Sequence, residues 1–98
     1  MSRRIVFRRI AGREFDDAVD WYNRRQPGRG ARFATAVSRV LKRIAEQPEF
    51  YAEAEDGVRE ANVSRYPYCI YYRTEPDQII VTAVFHTSRD PADLEGRE

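Results

Sequence analysis

"YCIYYRTEPDQIIVTAVFH", residues 68–86, holds two apolar runs on either side of Glu75-Pro76-Asp77. Isoleucine, valine, tyrosine and phenylalanine suit the pleated, half-buried surface of a strand, and a three-residue link containing proline is of hairpin length. The stretch therefore predicts two antiparallel strands, 68–74 and 78–86. Upstream, "VREANV" (58–63) reads as a third strand joined through "SRYP" (64–67), so the second half of the chain is an antiparallel meander. The last strand is apolar on both alternating sets: Ile79, Val81, Ala83 and Phe85 on one, Ile80, Thr82, Val84 and His86 on the other. A strand with one face in water needs only one apolar set. The surplus predicts a cover for the second face, such as a partner chain.

The first half has a different period. From about Ala11 to Arg25 the apolar residues fall at Phe15, Ala18, Val19 and Tyr22, the spacing of a helix with one buried face, and Trp21 widens that stripe. "QPGRG" (26–30) interrupts it, since proline breaks the hydrogen-bond ladder and glycine accepts a left-handed turn. Phe33, Val37, Val40, Leu41 and Ile44 then mark a second helix that Pro48 stops. So short a link predicts an antiparallel helical hairpin. "RRIVFRR" (3–9) is a short strand with charged flanks, "EFYAEAEDG" (49–57) an acidic loop, and 87–98 a polar, flexible tail. The expected fold is α+β: two layers in the order β-α-α-β-β-β, with the helical hairpin on one face of a small antiparallel sheet.

A chain of 98 residues supports one compact core, so 1–98 is expected to be a single domain. The net charge of +1 argues against a molecule whose whole surface grips nucleic acid, although nearly all its cations are arginines and Lys42 is the only lysine. One cysteine, Cys69, and one histidine, His86, supply neither a disulfide nor a zinc cluster, and no cofactor or metal is expected. No apolar stretch is long enough for a signal peptide or membrane span, which points to the cytoplasm.

His86, with an unperturbed pKa of about 6.5, is the one ready proton-transfer group at neutral pH. Together with Glu60 or Asp90 and with Arg65, Arg73 and Arg89, it permits the drawing of a metal-free ribonuclease: a base for the 2′-hydroxyl, arginines for the phosphoryl charge and an acid for the leaving oxygen. The same residues also read as a strand end and surface ion pairs. "GRGARF" (28–33) follows a helix and lacks a third glycine, so a helix end and a helix start account for it better than a nucleotide loop does. Tyr66, Tyr68, Tyr71, Tyr72 and Phe85 read as sheet packing before base stacking, and Cys69 as a packed apolar residue. Asp90 and Pro91 suit the cap and first position of a short helix.

Taken together, "WYNRRQPGRGARF", "VREANVSRYPYCIYYR" and "VFHTSRDP" resemble the ParE branch of the RelE/ParE toxin superfamily of type II toxin–antitoxin operons, over nearly the whole chain. RelE-like members cut messenger RNA on the ribosome with basic residues along the first meander strand and an arginine after the hairpin tyrosine, where this chain has Glu60, Asn62 and Cys69. ParE-like members lack that set and inhibit DNA gyrase. The resemblance therefore implies a gyrase-binding toxin whose target contacts are Arg65, Arg73, His86 and Arg89. It also implies a cognate antitoxin, acidic and partly disordered, that folds as an amphipathic helix on the open apolar face at Ile79, Val81 and Phe85. Two alternatives stand beside it. One is a ribosome-dependent endoribonuclease using Glu60, Arg73, His86 and Arg89, the only reading with a nucleic-acid partner; the other is an inactive homologue that only binds antitoxin.

Overall fold

The computed structural model describes residues 2–98. Strand β1 (Arg4–Phe7) leads into helices α1 (Arg9–Arg25) and α2 (Arg29–Glu46), and strands β2 (Glu53–Glu55), β3 (Val58–Asn62), β4 (Tyr68–Thr74) and β5 (Gln78–His86) follow, with a 3₁₀ turn at Pro91–Leu94. The two helices and the meander stand where the sequence places them.

The sheet is mixed rather than wholly antiparallel. Its order is β1-β5-β4-β3-β2, and β1 pairs in parallel with β5, Ile5 opposite Ile79 and Phe7 opposite Val81. Parallel neighbours need a long crossover, which the helical hairpin and the meander supply. The acidic stretch 49–57 also contributes a short, exposed edge strand, β2, whose glutamates a propensity scale disfavours.

Register shows which side chains share a face. Ala61, Ile70 and Val84 align across β3, β4 and β5, as do Tyr72 and Val81. They pack with Ala11, Ala18, Phe33, Val37, Val40 and Ile44 of the helices. Phe33 is the hub, its ring 5.0–6.1 Å from those of Phe15, Tyr22, Tyr66 and Tyr68. The helices come close because residue 30 is glycine: a Cβ there would meet the Asn23 side chain and the Val19 carbonyl at 2.6 Å. Its N–H instead donates to Asn23 Oδ1 at 2.8 Å.

A β-bulge explains the doubly apolar last strand. Tyr71 faces Ala83 and Tyr72 faces Val81, which leaves Thr82 as the extra residue and switches the alternation there. Ile79 and Val81 thus share the helix face with Val84 and His86. Cys69, Tyr71, Arg73, Glu60 and Asn62 lie on the far face with Ile80, Ala83 and Phe85. The aromatic residues divide accordingly, Tyr68 and Tyr72 with the helices, Tyr71 and Phe85 away from them.

Candidate functional site

β1 stops at Phe7, so β5 has no strand neighbour beyond Val81 on that side. Buried backbone groups still need partners. The Arg8 N–H donates to the Val81 carbonyl at 2.9 Å, the Val84 N–H donates to Glu14 Oε1 at 3.0 Å, and Arg97 Nη1 donates to the Thr82 carbonyl at 3.3 Å. Glu14 of α1 thereby acts as a side-chain substitute for the missing strand.

The Glu14 carboxylate also holds the C-terminal segment. Arg97 grips it with both terminal nitrogens, at 2.8 and 2.9 Å, and Arg89 donates to Oε2 and, through Nε, to Asp93 at 3.2 Å. Arg97 and Glu14 are only 9% and 11% exposed, so little water screens this pair, whereas Arg89 at 39% is partly solvated. Burial alone would lower the Arg89 pKa, but the hydrogen bonds and charges of Glu14 and Asp93 outweigh it and raise the pKa. Both guanidinium groups lie over the Phe85 ring, at 4.6 and 5.6 Å. The segment expected to be a flexible tail is tied down by these contacts, and Asp90 caps its 3₁₀ turn by accepting the Ala92 N–H, with Pro91 at the start.

Beside this clamp, a cleft of about 600 Å³ opens between α1 and the end of the β4–β5 hairpin, with Asp17, Asp20, Trp21, Tyr68, His86 and Arg89 on its walls. Trp21 is 44% exposed with the Arg25 guanidinium 4.4 Å above its ring, so it lies outside the core stripe that its spacing assigns it to. His86 packs edge-on against Tyr68 and accepts the Ser88 N–H on Nδ1 at 3.1 Å. In the neutral ring the proton then resides on Nε2, and the basic nitrogen is already engaged.

The residues drawn together as an acid–base set are not brought together. His86 pairs with Tyr68 on the helix face, Glu60 with Tyr71 on the far face, and Arg73 with Ile80 on that same far face. Arg89 is committed to Glu14 and Asp93. Arg65 stands apart in the β3–β4 turn at φ 71°, beside Arg29 and Arg32. Of the four target contacts expected, only His86 and Arg89 share a cleft.

The expected antitoxin contacts also separate. Ile79 and Val81 are 0% exposed within the helix–sheet core, because β5 turns that set toward the helices before the bulge. Phe85 lies on the far face under Arg89 and Arg97. Cys69 is buried there too; burial, with Glu60 nearby, pushes its thiol up to about 11, so it stays a neutral, packed side chain. Sequence reading did not find Glu14, Asp17 or Arg97, because no local pattern marks residues that meet from distant parts of the chain, Glu14 and Arg97 across 83 positions.

Among the described residues, no helix is long and apolar enough to cross a membrane. The family profile described as "ParE toxin of type II toxin-antitoxin system, parDE" matches residues 5–91. A chain in the solved structure titled "Chromosomal ParDE TA system from P. aeruginosa" is similar in fold at a TM-score of 0.74 and 17% identity, over 87% of this chain and 96% of that one. Among curated proteins nothing matches.

Proposed function

From the ParE toxin family of type II toxin–antitoxin systems, to which the chain belongs, we propose a protein that arrests growth in the cytoplasm by binding DNA gyrase and is neutralised by a cognate antitoxin. The observation that carries a binding role over RNA cutting is the division of the would-be catalytic set between two faces of the sheet, with Glu60 and Arg73 on one and His86 on the other. In-line cleavage needs base, acid and cations around one phosphorus atom. The cleft offers instead a surface of the kind proteins grip: an exposed tryptophan, a histidine and an arginine beside carboxylates. Trp21, His86 and Arg89 are the target contacts this reading favours.

The antitoxin segment, in this reading, takes the far face. Its carboxylates compete with Glu14 for Arg89 and Arg97, its apolar residues replace the C-terminal segment over Phe85, and residues 92–98 are lifted away. Ile79 and Val81 support that face from beneath without being touched.

Titrating purified gyrase with the full-length chain tests the proposal. Loss of supercoiling that antitoxin restores, with messages left intact in a translation extract, is the expected result. Cleaved messages beside untouched supercoiling would overturn it.

A further inference from the structure

Between the first turn of α2 and the β3–β4 turn lies a pocket of about 300 Å³ lined by Tyr22, Arg29, Arg32, Arg65 and Tyr66. Three of its five residues are arginines, and none of them forms an ion pair with another described residue. The ion pairs among the described residues all belong to Arg89 and Arg97, and no side chain of these three arginines donates a hydrogen bond to another described residue. Arg29 and Arg32 moreover stand in the first turn of α2, which has no acidic residue, at the end of the helix where positive charge is least favourable. Arg65 reaches them from a left-handed backbone that few residues other than glycine adopt. Tyr22 and Tyr66 meet edge-on at 5.3 Å beside these cations. Burial and Tyr66 raise the Tyr22 pKa, against the pull of Arg29, so its hydroxyl keeps the proton it could donate.

We propose that this pocket binds a phosphomonoester, the terminal phosphate of a nucleotide or of a nucleic-acid strand. A planar carboxylate is satisfied by one guanidinium fork, whereas a phosphate dianion presents three oxygens to several. The surroundings favour a nucleotide as its carrier. A groove of about 730 Å³ shares Arg32, Arg65 and Tyr66 with the pocket and continues along α2 over Ala36 and Val40 to Arg39. Small apolar residues on its floor admit a sugar and a flat base, Tyr66 offers a ring to stack on, and Arg39 meets a second phosphate. Side chains make this site; the glycines at 28 and 30 form no backbone cradle, since they serve the turn and the helix contact.

The test is direct binding of the full-length chain, and it stands apart from gyrase inhibition because no target enzyme is present. The probes are inorganic phosphate, adenosine monophosphate, a short single-stranded oligonucleotide with and without a 5′-phosphate, and a phosphoserine peptide. The phosphorylated strand should bind at least about tenfold tighter than its hydroxyl-ended twin. Adenosine monophosphate binding as tightly as the strand would identify the free nucleotide as the ligand; binding far more weakly would identify the strand end. Arg29→Gln with Arg65→Gln should erase the preference, and Arg43→Gln, outside the pocket on the same helix, should keep it. Equal binding of the two oligonucleotides, or a preference for the phosphoserine peptide, would overturn the proposal whether or not the double variant folds.

Discussion

The two faces of the sheet are covered to different extents and by opposite means, the far face along β5 but not at Glu60 and Asn62 of β3, which stay exposed. On the helix face, Phe33, Val37, Ile44, Ile70 and Val81 are 0–1% exposed and interlock with no charge among them. On the far face, Ile80, Ala83 and Phe85 are nearly as buried, at 2%, 0% and 4%. Their cover includes the chain's own C-terminal segment, with Arg97 over Phe85 and Leu94 near Val58 and Arg73. The first cover is held by apolar area, which only unfolding gives up. The second is latched by one carboxylate, Glu14, and in the proposed reading an antitoxin carboxylate takes its place. On that reading the fold buries the apolar residues on the far side of β5 and still offers them to a partner.

The contrast is sharpest in core truncation. Phe33→Ala should cost about 3–5 kcal/mol, because it empties the hub of the helix face. Urea unfolding would measure it, and a cost below that of breaking the latch would break the contrast. Glu14→Gln should cost less, about 1–3 kcal/mol, since it leaves Arg97 nearly buried beside a neutral amide while Arg89 finds water. Its signature should be local: Arg97 and the 3₁₀ turn loosen in NMR spectra while the helix-face core keeps its packing. High salt should weaken the Arg89 half of the latch more than the Arg97 half.

The smallest effect is one of pH. Cys69 holds its proton to about 11 in the folded chain, against an ordinary value of 9.0. The unfolded thiol ionises first as pH rises, so the stability this group contributes is fully present below about 9 and is lost by about 11. Cys69→Ala should flatten that part of the stability–pH curve, and an unchanged slope would show that far-face burial does not govern the thiol.

Much of the fold was legible because period and punctuation are local. The hairpin of helices follows from Phe33, Val37 and Ile44 and from Pro27, and strands β4 and β5 follow from their apolar runs to the residue. The parallel docking of β1 was not legible, since nothing in "RIVF" specifies which strand it joins. The bulge at Thr82 was not either, and it reassigns which half of β5 faces the helices. That shift is why Ile79 and Val81 pack against the helices while Phe85 is buried on the far face. The site was less legible than the fold. His86, Arg89 and the Asp90 cap announced themselves near the end of β5, but their anchor, Glu14, lies in the first helix among residues that read as ordinary surface.

Hydrogen exchange at the amides of Asp93, Glu95 and Arg97, which bond to the carbonyls of Asp90, Ala92 and Leu94, tests most directly whether this cover gives way to a partner. With the cognate antitoxin bound, these three amides should lose their protection while those of β4 and β5 keep theirs. Tail amides that stay protected in the complex would mean that the latch never opens and that the antitoxin docks elsewhere.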